Sequence, residues 1–244
     1  MMYQKMAEVY DQLMSDAPYE EWVDFFNYFH QGINGDHKIL DVGCGTGEIA
    51  IRLVNQGFNV SAFDLSNEMI SRAKSKCPEG RIHFFQDDVR SLSLAEKFDT
   101  VYSFCDVVNY LNDKKDVKIA FQKIYDHLNE GGTFIFDAHS PSYIKKLLSD
   151  HIYSEVADEY SYVWFCEQGR SELEVIHDLT FFLQEKDGRY QRFDEVHTQR
   201  TFLQEEFKNF LNEVGFNKVS YYYDFSTVEN NDDEASRIFF ICQK

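Results

Sequence analysis

From about Gly35 onward, short apolar runs alternate with segments whose apolar positions recur at helical spacing, the rhythm of successive βαβ units and a parallel sheet. The runs predict strands over residues 37–42, 59–65, 81–86, 99–105 and 133–138, with helices between them. Ser66 has the chemistry of an N-cap, and Glu68 falls in the first turn behind it. Over 113–128, Val117, Ala120, Phe121, Ile124 and Leu128 share one helix face, and Gly131-Gly132 is the expected stop.

The period changes after Ser149. Three strand-like runs, 160–166, 172–182 and 190–200, follow one another with turns at 168–170 and 186–188 and no helix between them. That pattern predicts an antiparallel insertion. A helix then starts with capping-box spacing at Thr201 and Gln204, carries Leu203, Phe207, Phe210, Leu211 and Val214 on one stripe, and ends at Gly215. Strands at 218–224 and 237–243 close the chain around an acidic loop, 230–234, which lacks calcium-loop spacing. The N-terminal stretch, 3–31, reads as helical and aromatic-rich. The expected fold is α/β, a doubly wound, mostly parallel seven-stranded sheet with a small antiparallel β insertion. Residues 1–150 and 201–244 form the main domain, and 151–200 a cap.

Composition narrows the function classes. A chain of 244 residues with 43% hydrophobic side chains can bury a sizeable core. Its formal net charge of −18 opposes non-specific attraction to nucleic acid or to an anionic membrane. The five cysteines (Cys44, Cys77, Cys105, Cys166 and Cys242) are scattered without CxxC or metal-ligand spacing, as expected of free thiols in a reducing compartment. No apolar run reaches the length of a membrane span, and the start of the chain lacks a signal-peptide core. The expected location is the cytoplasm.

The most informative stretch is Ile39-Leu40-Asp41-Val42-Gly43-Cys44-Gly45-Thr46-Gly47-Glu48: a strand running into glycines on alternate positions, then a helix. Glycine there lets the backbone take positive φ and approach a ligand closely. The pattern is GxGxG, and Glu48 stands where a dinucleotide fingerprint wants its last glycine. Asp41, two residues before the first glycine, would repel a pyrophosphate, by about 4 kcal/mol for unit charges ~4 Å apart at an effective dielectric of about 20. It would favour a sulfonium or ammonium cation. Asp64 ends the second strand, where a carboxylate can accept ribose hydroxyls, with Leu65 beside it. Asp88 ends the third; it can take an adenine amino group while a backbone N–H near Val89 meets a ring nitrogen. Each acid alone also reads as an ordinary helix cap.

With these residues in view, the chain resembles the class I S-adenosylmethionine-dependent methyltransferases. ILDVGCGTG resembles that family's first motif, Asp64 its second-strand acid and DDVRSL its third-strand motif. FDTVYSFCDVVNYL and LNEGGTFIFD resemble the fourth- and fifth-strand segments. The likeness spans about 3–138 and resumes at 201–244. YQKMAEVYDQLM resembles the N-terminal segment of small soluble bacterial members, which implies Tyr10 as a lid residue over the cofactor. The insertion after the fifth strand is architecturally similar to that of sugar-amine N-methyltransferases. The cofactor implied is S-adenosylmethionine, with Cys44 and Cys105 beside Gly43 and Gly45 on its binding surface.

Methyl transfer from a sulfonium is an in-line displacement, so alignment and exclusion of water carry most of the catalysis, and a general base is optional. Candidates for that base are Asp106, Asp137, His139 and His197. Glu195, His197 and Gln199 alternate along one strand and share a face, although His197 reads equally well as a structural histidine on an edge strand. Tyr160, Tyr162, Trp164 and Phe165 could cover an acceptor or simply fill a core. An NPPY-type tetrapeptide, expected of many base-modifying enzymes, is absent; Cys105-Asp106-Val107-Val108 stands there. The reading is a methyltransferase acting on a small-molecule nitrogen or oxygen, without nucleic-acid or membrane partners and with no metal. The alternatives are a non-catalytic S-adenosylmethionine-binding protein and an NAD-dependent oxidoreductase.

Overall fold

The computed structural model describes residues 10–11, 13–31, 36–78, 80–185, 187–229 and 232–244. Parts of the predicted N-terminal helix (3–9 and residue 12), Lys186 of one predicted turn, and the first two residues of the acidic loop lie outside them. In chain order the elements are α1 (Tyr19–Phe29), β1 (Lys38–Val42), α2 (Glu48–Asn55), β2 (Asn59–Asp64), α3 (Asn67–Lys76), β3 (His83–Gln86), β4 (Phe98–Ser103), α4 (Lys114–His127) and β5 (Leu128–His139). They continue with α5 (Pro141–Asp150), β6 (Ile152–Val156), β7 (Tyr160–Gln168), β8 (Glu174–Gln184), β9 (Tyr190–Arg200), α6 (Gln204–Val214), β10 (Lys218–Tyr223) and β11 (Arg237–Gln243).

Seven strands form one sheet in the order β10-β11-β5-β4-β1-β2-β3, parallel except where β11 meets β5 and β10. The order reverses direction at β1, beside β4, which places the carboxyl ends of these strands at a topological switch point, where open α/β sheets bind ligands. Helices cover both faces, so the central strands are apolar on both sides. Along β5, Phe134, Phe136 and Ala138 pack with α4 and α6 on one face, while Ile135 joins α1 and α2 on the other. Along β11, Phe240 and Phe239 divide in the same way.

Several local expectations shift. The helix before β5 is not ended by Gly131-Gly132: Leu128 already has extended φ/ψ, and β5 begins there. Gly131 (φ 75°) lies inside the strand, near a register irregularity opposite β4. The capping box also moves. Leu203 is the N-cap of α6, and Glu206 Oε2 accepts from its N–H at 3.1 Å. Thr201 is committed elsewhere, its hydroxyl donating to the His139 carbonyl at 2.5 Å. Leu203, counted on the buried stripe, is therefore exposed. Ser66 caps α3 as expected, accepting from the Met69 N–H at 3.2 Å.

The insertion is a separate antiparallel sheet of four strands, β6-β7-β8-β9, one more than the pattern showed. β9 is an edge strand, yet its inward row, Phe193, Glu195, His197 and Gln199, is buried against the rest of the molecule. Asn109 and Asn112, beyond β4, tie that strand down by donating to the carbonyls of Arg200 and Thr198.

Candidate active site

The loop between β1 and α2 is held by the neighbouring strand: the N–H groups of Gly43 and Cys44 both donate to the Phe63 carbonyl at 2.9 Å. Gly43, Gly45 and Gly47 all have positive φ (77°, 52° and 81°), as the spacing implied. At Gly43 the need is steric as well, because a Cβ would sit 2.5 Å from Val107 Cγ1. A second clamp comes from the N-terminal segment. Asp11 accepts from the Thr46 hydroxyl at 2.5 Å, Arg72 Nε at 2.8 Å and Lys76 Nζ at 2.8 Å, which seats Tyr10 and Met14 over the loop.

A cavity of about 570 Å³ opens at this edge of the sheet and continues under the insertion. That volume lies within the range of small-molecule sites. Every cofactor-side residue expected from the sequence lines it: Tyr10, Asp41, Gly43, Cys44, Gly45, Asp64, Leu65, Asp88, Val89 and Cys105. Asp64 is the organising acid. Its Oδ2 accepts from the Gly45 N–H and its Oδ1 from the Ser66 N–H, each at 2.8 Å, which leaves further lone pairs on both oxygens. Burial raises its carboxyl above the usual range, and these N–H bonds pull it part of the way back. Asp88 instead gives both oxygens to the Arg90 guanidinium, which also reaches Asp116, and the pair holds Asp88 below the usual carboxylate range.

Asp41 is more enclosed than its position two residues before the loop suggested. It is buried in β1 and accepts from the Tyr102 hydroxyl at 2.7 Å. Burial pushes its carboxyl up to about 8. Asp41 is therefore not the standing negative charge that its place in the sequence implied: it is largely protonated near neutral pH until a cation beside it favours the carboxylate. Burial also raises the Cys44 and Cys105 thiols, which disfavours the thiolate form that a cysteine nucleophile needs.

The far half of the cavity is assembled from distant parts of the chain: Asp106 and Tyr110 after β4, His139 at the tip of β5, Tyr143 on α5, Trp164, His177, His197 and Gln199 from the insertion, and Arg237 at the start of β11. Cys105 and Asp106 turn off β4 with consecutive left-handed φ values of 59° and 55°, a conformation that costs non-glycine residues energy. It is held by three partners of Asp106: Gln199 Nε2 at 2.7 Å, Arg237 Nη2 at 3.4 Å and His139 Nε2 at 3.6 Å. Arg237 also pairs with Asp137, and its backbone N–H is fixed by Asp224 at 2.9 Å. Burial lowers the basicity of His139, His177 and His197, that of His177 to about 4, so all three rings are neutral at pH 7.

Of the four candidate bases, His139, His197 and Asp106 reach the cavity. Asp137 does not line it; the residue is fully buried behind Arg237, whose guanidinium it orients. Sequence reasoning missed Arg237, His177, Tyr143 and Tyr110. A signal existed for His177, which sits directly opposite His197 in the β8–β9 register, but only once that register is known.

Comparison with known proteins agrees with this geometry. A family model described as a methyltransferase domain matches residues 39–132. The chain is 39% identical to a provisionally named methyltransferase of Geobacillus sp. (strain WCH70), an alignment covering 100% of both chains. It is 29% identical, with a TM-score of 0.86, to the crystal structure of an S-adenosylmethionine-dependent methyltransferase from Clostridium acetobutylicum ATCC 824, covering 99% of this chain and 98% of that one. It is also 29% identical, over 41% of each chain, to the dTDP-3-amino-3,4,6-trideoxy-alpha-D-glucopyranose N,N-dimethyltransferase of Streptomyces venezuelae. The chain belongs to the class I S-adenosylmethionine-dependent methyltransferases.

Proposed function

We propose that this enzyme methylates the nitrogen of a small amine, with the methyl donor at the glycine-loop end of the cavity and the acceptor at the imidazole end. The observation that carries the reading is a charge imbalance. Around the far half of the site, among the described residues, Asp106 on the wall and Asp137 buried behind it share one guanidinium, Arg237, among three neutral imidazoles. A buried excess of formal negative charge favours a cationic ligand, and an ammonium group restores the balance. Tyr110, Tyr143 and Trp164 offer π faces to the same cation. The amino-sugar dimethyltransferase among the relatives acts on such a nitrogen, which supports the choice.

Bound S-adenosylmethionine supplies an electrophilic methyl group on a sulfonium that departs as a neutral thioether. Asp64, the Gly43–Gly45 loop, and Asp88 with Val89 would hold the donor, and Asp41 would balance positive charge beside the loop. The residues 151–200 act as a cap that excludes water and brings His197 and Gln199 to the acceptor. His139 takes the proton that the bound ammonium must lose before its nitrogen has a lone pair for the methyl carbon; Asp106, 3.6 Å from its Nε2, stabilises the imidazolium that forms. His197 contributes a further wall of the acceptor site.

The test is a screen of labelled methyl transfer from S-adenosylmethionine to small amines, alcohols and carboxylic acids. Label on amines, lost in Asp106→Asn, supports the reading. Label confined to oxygen acceptors overturns it.

A further inference from the structure

The imidazole end contains a donor and an acceptor that methyl transfer itself does not use. The Trp164 indole N–H donates to His177 Nδ1 at 3.0 Å. An indole nitrogen is only ever a donor, so Nδ1 of that ring is unprotonated and the neutral imidazole carries its hydrogen on Nε2. His177 is 6% exposed and lines the cavity, and its Nε2 makes no hydrogen bond of good geometry among the described residues, although the Gln199 side chain interacts with the ring. A buried N–H without a well-aligned acceptor is unfavourable, and a ligand atom that accepts from it relieves that cost.

Gln199 complements it. Its Nε2 is committed to the Asp106 carboxylate, so the side-chain amide is oriented and its Oε1 is the acceptor that remains. Gln199 also lines the cavity and stands diagonally across the β8–β9 register from His177, whose direct partner in that register is His197. A fixed N–H and a fixed carbonyl oxygen on one wall match a group that accepts and donates at once. A hydroxyl does both. A carboxylate only accepts, and it would also meet the excess negative charge of Asp106 and Asp137.

Resting on the amine reading above, we propose that the acceptor is a hydroxylated amine whose hydroxyl group accepts from His177 Nε2–H and donates to Gln199 Oε1. His177 is then a specificity-determining residue, and Trp164 a positioning residue that sets its tautomer.

The experiment compares kcat/KM for labelled methyl transfer to matched pairs, 2-aminocyclohexanol against cyclohexylamine and 2-aminoethanol against ethylamine. Wild type should favour the hydroxylated member by about 100-fold. His177→Leu should bring the two members of each pair to within a few fold of one another. His177→Gln, whose amide N–H can replace the donor, should keep most of the preference, and both variants should bind S-adenosylmethionine as wild type does, which controls for folding. The imidazole ¹⁵N spectrum at pH 7 gives a readout that needs no acceptor: it should show the His177 proton on Nε2, and Trp164→Phe should mix the tautomers. Equal kcat/KM within each pair in wild type, or a proton on Nδ1, overturns the hydroxyl assignment and leaves the amine reading standing. Transfer to neither member of either pair, with label on oxygen acceptors instead, overturns both.

Discussion

The two halves of the cavity are built by different means. At the glycine-loop end, backbone does most of the positioning: Gly43 and Cys44 hang from one carbonyl of β2, and Asp64 is set by the N–H groups of Gly45 and Ser66, all within about one βαβ unit. At the far end, side chains do it, and they come from seven segments spread between Asp106 and Arg237. The first half is a local structure that spacing announces. The second exists only after the insertion has folded back over the sheet. With the donor in the first half and the acceptor in the second, as proposed, the two should be open to separate damage.

The largest expected effect is on the acceptor side. His139→Ala should lower kcat by 10²- to 10⁴-fold, the usual worth of a positioned proton acceptor, with calorimetric affinity for S-adenosylmethionine unchanged. A matching loss of cofactor affinity would break the separation. Gly43→Ala should damage the donor side instead. It forces a Cβ against Val107 in a left-handed backbone, for a loss of about 3 kcal/mol in denaturant unfolding. Pairing it with Val107→Ala should return part of that loss.

Asp64→Ala should weaken cofactor binding by roughly 10- to 100-fold in calorimetry without abolishing the fold, because two backbone donors and the ligand lose the same carboxylate. The pH dependence is subtler. Asp41 has a folded-state value of about 8 against an ordinary 3.8, so between those values the folded protein binds more protons than the unfolded chain. Its contribution to stability without cofactor therefore falls as pH rises through that window. A cationic ligand favours the ionised form, so affinity for S-adenosylmethionine should rise about fivefold from pH 7 to pH 8, with proton release on binding. Asp41→Asn should remove both. As a control outside the comparison, the exposed Lys118–Glu213 pair can be broken by Glu213→Gln for no more than about 0.5 kcal/mol.

Legibility in the sequence followed the same divide. The strand–glycine–helix passage around Asp41 and Asp64 is contiguous, and its geometry could be read from the period of the apolar positions and the alternate glycines. The inward face of β9 was legible too, because Glu195, His197 and Gln199 alternate, and all three are buried. What the sequence could not show was which strand faces which. Asp137 has the same residue type and strand-end position as Asp64, yet a guanidinium 100 residues away shuts it from the cavity. Arg237 is one base among 24 until the β11–β5 register sets it opposite His139. Thr201 failed as a helix cap for a similar reason, since a carbonyl 62 residues distant claims its hydroxyl.

The most direct test of the account is a crystal structure with S-adenosylhomocysteine bound. The ribose hydroxyls should lie on Asp64, the adenine edge at Asp88 and Val89, and the sulfur should turn toward His139, His177 and Gln199. A product molecule bound with its sulfur facing away from that cluster, or lodged outside the glycine loop, would contradict it.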